Sequence, residues 1–511
     1  MSYRHMGLLG MLLLAGGWMP VAAGAEAPMS KDALFDLVPE TPAERPKPAG
    51  APEAVPASKD ELFALEPAAA KPAAAKEEAA LPASKEALFD EPAKVSAPEK
   101  AAAAVAPAQR LQGFIQAETA GTLADPEHWS KAMVRLELGT QGRLAQGMKW
   151  KLSGRVDYNA IYDLDDFYQA QVRDDQRLEF QVRETYLDFT AGDWDWRLGR
   201  QHIVWGELVG MFVADVVSAK DLREFILPDF QVLRIPQWAA RAEYFKEDFH
   251  AEVVWIPFPS HDEIGKPKNF LAPGGGADFY AYPLPIPAVI LGDDKPSTGL
   301  NHGNFGVRLT QLTNGWDFSG FYYTSMNGSP TFYQFTPGTL TPRHDRIWQL
   351  GGTLAKDFRD VVLKAEAVYT DGRRFNLTNV VAPDPAGGVV EQNTLDWAVG
   401  LDFNPSSEIR VNTQFFQRYF FDHNPNIIPD RAENGVSLLV NRKLPDNWEV
   451  EALLVHSLNR QDWMLRPKAS WGFRPNWKLT FGLDLFNGPV TGLFGQYDQQ
   501  DRAYAEVRYD F

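Results

Sequence analysis

From residue 111 onward, apolar and polar residues alternate one by one, in stretches separated by short polar turns. Successive side chains of a strand point to opposite faces, so a period of two gathers the apolar residues on one surface. In 149–158, Trp150, Leu152, Val156 and Tyr158 fall on one face, and Lys149, Lys151, Arg155 and Asp157 on the other. Leu395, Trp397, Val399, Leu401 and Phe403 repeat the pattern, as do Trp477, Leu479, Phe481, Leu483 and Leu485 against Lys478, Thr480 and Asp484. In the last stretch Ala503, Ala505, Val507, Tyr509 and Phe511 alternate with Arg502, Tyr504, Glu506, Arg508 and Asp510.

Eight short turns punctuate these stretches, at 141–147, 191–193, 246–248, 313–315, 356–360, 404–407, 444–447 and 474–476. Eight turns join sixteen strands, and a first strand near 111–120 with a last near 501–511 gives eighteen. The count is even, as a closed bacterial barrel requires. The pattern predicts an all-β fold over 109–511: a transmembrane, antiparallel, up-and-down β-barrel of sixteen to eighteen strands. Trp194, Trp316, Trp448 and Trp477 flank short turns, where an aromatic girdle belongs. Long connections at 206–234, 258–301, 327–343, 372–391 and 420–431 should then be external. The second is rich in Gly at 274–276 and in Pro across 283–287. In the first, Ser218 followed three residues later by Asp221 resembles a helix start. That connection either folds inward to constrict a pore or caps the rim.

The first 25 residues have the form of a secretory signal. Arg4 and His5 precede an apolar run over 6–18, and Ala23-Gly24-Ala25 forms a cleavage site before Glu26. No later stretch reaches ~18 uninterrupted apolar residues, so any crossing must use closed strands. Residues 26–108 are rich in Ala, Pro, Lys and Glu and sustain no apolar period, which predicts a disordered periplasmic arm. A Ser-Lys-acid-x-Leu-Phe element recurs in it, ending in Leu34-Phe35, Leu62-Phe63 and Leu88-Phe89. Prolines confine each copy to about two helical turns, too short to be stable alone, so each is suited to folding on a periplasmic partner. The other reading is duplicated low-complexity sequence with no binding role.

Composition narrows the chemistry. There is no cysteine, which excludes disulfides, lipid acylation and thiolate metal sites in this chain. The formal charge of −17 argues against a nucleic-acid partner. A mean hydropathy of −0.30 fits a barrel that hides its apolar residues at every second position. No H-E-x-x-H, G-x-S-x-G or Walker loop occurs, so the expectation is a protein without enzymatic activity, cofactor or metal. His202 is the best single catalytic candidate and is more simply a pore-lining or rim residue.

The predicted lumen carries both signs. Lys149, Lys151, Arg155, Arg410, Arg418 and Arg508 face acids such as Asp157, Glu366, Asp396 and Asp402, as paired wall charges do. Arg183, Arg200, Gln201, Glu207, Asp215 and Asp221 cluster where a strand passes into the first long connection, and are placed around a constriction.

The ending, with Val507, Tyr509 and the final Phe511 in one row, resembles the signal by which outer-membrane barrels are recognised for insertion. Arg183-Glu184-Thr185-Tyr186-Leu187-Asp188 and then Leu198-Gly199-Arg200-Gln201-His202-Ile203-Val204-Trp205-Gly206-Glu207 resemble a family of proteobacterial outer-membrane barrels of unknown function. Asp215, Asp221 and Ile235-Pro236 occupy the loop that follows in that family, and the resemblance runs from about Leu111 to Phe511. The architecture is similar to the eighteen-stranded alginate export porin, without an alginate-specific residue pattern. The resemblance implies an outer-membrane location, contact with lipid and with the barrel assembly machinery, and export or uptake of a hydrophobic or polymeric compound. The leading expectation is a monomeric channel whose arm recruits a periplasmic component. The alternatives are a structural or adhesive barrel with a plugged lumen and, last, an outer-membrane hydrolase.

Overall fold

The computed structural model describes residues 111–511 except 145–146, 209, 211, 270–275, 282–287, 297–301 and 381–383. The cleavage site, the arm and the three Leu-Phe elements lie outside the described residues.

Eighteen strands form one sheet. In chain order they are β1 (Gln112–Thr122), β2 (Trp129–Arg143), β3 (Lys149–Asn159), β4 (Leu178–Ala191), β5 (Trp194–Gln201) and β6 (Gln237–Lys246). There follow β7 (Phe249–Phe258), β8 (Asn304–Thr313), β9 (Trp316–Met326), β10 (Arg346–Asp357), β11 (Val361–Asp371) and β12 (Thr394–Ser406). The last are β13 (Ile409–Phe420), β14 (Ala432–Leu444), β15 (Trp448–Ser457), β16 (Asp462–Arg474), β17 (Trp477–Asn487) and β18 (Arg502–Asp510). Each pairs antiparallel with its sequence neighbours. β18 pairs back onto β1, from Phe114 opposite Asp510 to Thr122 opposite Arg502. The amides of Gly113 and Phe511 each donate to the other's carbonyl, at 3.0 and 2.9 Å. The sheet therefore closes without an edge, the condition for strands to cross a bilayer.

All eight short turns expected from the sequence join strands at one end of the barrel. Their residues suit left-handed backbone: Gly192 has φ 64°, Asn314 and Gly315 have 50° and 71°, and Asp446 and Asn447 have 58° and 61°. The five long connections lie at the other end. Two more elements there were not anticipated: the β3–β4 connection holds helices Ile161–Leu164 and Ala170–Gln176, and the β17–β18 connection holds a 3-10 helix, Gly495–Gln500.

The outer surface is the apolar row of every strand. Leu152, Phe180, Trp255, Phe305, Leu309, Phe318, Leu350 and Phe481 are all exposed. So wide an apolar surface belongs in lipid, not water. Aromatics border it at both ends. Beside the short turns Trp448 stacks on Trp471 (5.3 Å, 1°) and Trp477 lies 4.7 Å from Tyr509. Towards the long connections Trp348, Tyr369 and Phe421 form a chain of rings.

The lumen is not empty. The connection 202–236 runs inside the barrel, not over its rim, and is called the strap below. Arg155 of β3 donates to the carbonyl of Val232 (3.2 Å), Glu366 of β11 accepts from the amides of Leu208 and Ala214, and Arg466 of β16 donates to the carbonyl of Leu227 (2.8 Å). The helix start expected at Ser218 does not form. Ser218 Oγ donates back to the carbonyl of Ile203, and Ala219–Lys220 pairs as a short strand with Arg234–Ile235. Asp262 Oδ1 takes the Lys220 amide, so the backbone bonds that a helix would need are spent across the lumen.

Candidate functional site: the strapped lumen

One half of the inner wall is apolar. Ile203, Trp205, Leu208, Val213 and Val217 of the strap pack against Val254, Ile256, Phe321, Tyr323, Val368, Ala398 and Phe416. Trp205 is wholly buried, its ring centroid 5.1 Å from Phe321 and 5.7 Å from Tyr323. Glycines on the inward row make the room. A Cβ on Gly306 would stand 2.6 Å from the Trp205 ring, and one on Gly400 would stand 3.1 Å from Leu208. The strap therefore docks into a fitted wall.

The other half is charged. Asp215 and Arg234 pair within the strap at 2.9 Å, both almost fully buried. Arg183 of β4 donates to the carbonyls of Arg234 (3.0 Å) and Gln231. Arg223 holds Asp221 (2.7 Å) and reaches Glu179 of β4 (2.5 Å). Glu224 binds Lys131 of β2 (2.7 Å) and Arg502 of β18 (3.4 Å), and Arg502 in turn holds Asp484 (2.7 Å). These buried pairs cost desolvation, so they fix geometry more than they add stability.

Between the two halves lies the most concentrated contact. Glu366, 2 % exposed on β11, accepts the amides of Leu208 (2.8 Å), Ala214 (2.7 Å) and Glu207. Three amides converging on one carboxylate form a charge-assisted latch. Towards the outer end a cluster of rings packs together: Phe225 of the strap, Tyr280 of the β7–β8 connection, Phe486 of β17, and Phe494 and Tyr497 of the β17–β18 connection. Among the outer connections, burial pushes the Asp278 carboxyl up to about 8, against the pull of the Lys266 amide. Burial holds the His261 imidazole down at about 3; the His344 ring 4.0 Å away and Lys295 push the same way, and Asp293 opposes.

Four of the six constriction candidates meet at the strap: Arg183, Asp215 and Asp221 as above, and Glu207 beside Arg308 (3.4 Å); Gln201, the last residue of β5, is buried in the wall and donates to the carbonyls of Ala239 (3.1 Å) and Arg197 (3.2 Å). Arg200 is a correction. It is half-buried, opposite Trp238 in the pairing with β6, and Trp238 is one of the exposed outer residues. Strand alternation turns Gln201 inward and Arg200 away from the lumen.

The named lumen charges are placed as follows. Lys151 pairs with Glu184 (2.7 Å), Arg155 with Asp157 (3.1 Å), Arg410 with Asp402 (3.4 Å), Arg418 with Asp396 (2.6 Å) and Arg508 with Asp510 (2.7 Å); Lys149 is exposed near a short turn. His202 lies beside Arg183, Nε2 to Nη2 at 3.4 Å. Val507 lies opposite Ala117 on β1, and Phe511 stacks on Tyr509 (5.8 Å, 29°) at the outer surface. Sequence reasoning missed the apolar inner wall and the latch role of Glu366. The wall had a signal: in Val253-Val254-Trp255-Ile256 both alternating rows are apolar, so both faces are dry.

Comparison with known proteins adds the following. The family model described as "Protein of unknown function (DUF1302)" matches residues 130–511. No curated protein matches the chain. Among solved structures, OccAB1 of Acinetobacter baumannii is 9 % identical, with a TM-score of 0.49 over 80 % of this chain and 96 % of that one. OpdK of Pseudomonas aeruginosa, solved with vanillate, is 8 % identical, with 0.47 over 79 % and 98 %. OmpF of Salmonella typhi, solved with daunomycin, is 11 % identical, with 0.37 over 79 % and 97 %.

Proposed function

The chain belongs to the DUF1302 family of proteins of unknown function, and from that premise we propose that it is an outer-membrane channel held shut at rest by its strap. The observation that carries this reading is how the lumen is filled. Barrels of sixteen to eighteen strands enclose a width that wall side chains do not fill. Among the described residues the filling is chiefly one connection, held by apolar docking around Trp205 and by polar bonds that lumen water can replace, with Glu366 at their centre. Withdrawal of the strap leaves a water-filled passage lined by Arg135, Arg155, Arg183, Arg308, Glu366 and Asp396. The short turns and the start of β1 share one end, which supports a periplasmic position for the N-terminal arm. There its Leu-Phe elements recruit a partner.

Planar-bilayer recordings test the reading. The full chain should show small or rare openings, and a variant lacking 210–229 should show large, stable steps. A folded deletion variant that stays silent removes the proposal. One observation favours a second reading, the structural or adhesive barrel: Phe225 of the strap and Tyr280 of the β7–β8 connection pack in one buried ring cluster with the β17–β18 connection. Silence of both forms, with intact binding of a surface partner, would establish it.

A further inference from the structure

Beside the strap lies a cavity of about 100 Å³, between strap residues 212–220 and the upper wall of β8–β10. That is several times the ~10–15 Å³ a cavity needs to hold one water. We propose that it is a binding site for a neutral, polyhydroxylated solute of monosaccharide size. The assignment deepens the channel reading and rests on it for its meaning as a substrate site.

The charges that line the cavity are balanced: Asp215, Asp262 and Asp396 against Lys220, Arg373 and Arg418. Each carboxylate already has donors. Asp215 takes Arg234 Nε (2.9 Å); Asp262 takes the Lys220 amide (2.7 Å) and Ser329 Oγ (2.6 Å); Asp396 takes Arg418 (2.6 Å) and Arg373 (3.4 Å). An anion entering the cavity meets three carboxylates, and a cation meets three cations. Neither gains from the field as a neutral solute does.

The rest of the lining is uncharged and polar, with Ser260, Asn304, Ser325, Asn327 and Gln349, beside the ring of Tyr323. Two buried donors of lining residues, Asn327 Nδ2 and Arg373 Nε, have no acceptor. A hydroxyl both donates and accepts, so a ring of hydroxyls can serve a wall that mixes spare donors with carbonyl and hydroxyl oxygens. The tyrosine ring offers a flat apolar surface for the C–H face of such a ring. A lining this polar suits a solute that brings many hydroxyls rather than an apolar one.

The test is isothermal titration of the full chain in detergent with three probes of one skeleton: glucose, glucuronate and glucosamine. Glucose should give saturable heat in the millimolar range or below, with the charged analogues at least tenfold weaker. Asn327→Leu should weaken glucose at least tenfold. Should that variant lose its folded-barrel mobility on gels, Ser325→Leu fills the same space from a strand position and should act alike. Absence of heat with glucose and other neutral hexoses, or tighter binding of glucuronate, overturns the assignment. Conductance of the same preparation separates the two readings. Binding with a silent strap-deleted barrel upholds the site and removes the channel. Conductance with no hexose binding removes the site and keeps the channel.

Discussion

Replacing Glu366 with Ala should open the barrel. The carboxylate holds the amides of Glu207, Leu208 and Ala214 where the strap crosses β11. A hydrogen bond to a charged group contributes about 1.5–3 kcal/mol. That figure is already net of the bonds each group makes with water, and three such bonds to one carboxylate sum to about 4.5–9 kcal/mol. In the open state lumen water solvates both partners, so the lower end applies, about 4 kcal/mol between closed and open. Each 1.4 kcal/mol is tenfold. A barrel open about 1 % of the time would then be open about 90 % of the time. Single-channel recording reads that probability directly. Hydrogen exchange adds a local readout, since the amides of 207, 208 and 214 should lose protection while strand amides keep theirs. Glu366→Gln keeps an acceptor at Oε1 and presents a donor to the Ala214 amide, so it should fall between. Suppose Glu366→Ala inserts as a folded barrel, keeps the wild-type open probability and leaves those amides protected. The strap is then held by its apolar docking and its other polar contacts, and the latch argument fails.

Three further outcomes follow from the structure and the sequence. Phe511→Asp, or removal of 509–511, takes away the stacked ring and the final rungs against Gly113, and should sharply reduce heat-modifiable barrel in outer-membrane fractions; wild-type amounts would refute this. His261 is held neutral in the fold, down at about 3 against ~6.5 when unfolded, so the folded loop binds protons less readily than the unfolded one. Stability there is full above pH ~6.5 and falls as pH drops towards 3, by at most about 1.4 kcal/mol per unit; connections 259–269 and 327–345 should become protease-sensitive at pH 5, and His261→Gln should flatten the response. Replacing Phe35, Phe63 and Phe89 together by Ala should spare insertion and abolish co-purification of the periplasmic partner, with single changes intermediate as avidity requires; unchanged cross-linking would make the arm a passive tether.

The strand count, the eight tight turns and the outer face were legible because each is local. A period of two needs only neighbours, and turns such as Asn314-Gly315 announce their backbone by residue type. The strap was legible only as a long connection. Its direction depends on Glu366 meeting amides 152 to 159 residues away and on Trp205 finding the space above Gly306, and no window of sequence contains either fact. Lone glycines on inward rows and a serine before an acid are ambiguous until the opposing element is known. Ser218 therefore suggested a helix where a hairpin across the lumen had claimed the backbone. Arg200 failed for a different reason. Grouped by proximity with Gln201 it looked like a pore residue, yet adjacent residues on a strand face opposite ways, so two neighbours cannot both line a wall. The same rule, applied to Val254 and Ile256, would have exposed the apolar inner wall, because an alternating surface with no polar row leaves water on neither side. Alternation thus carries more about this lumen than its list of charged residues does.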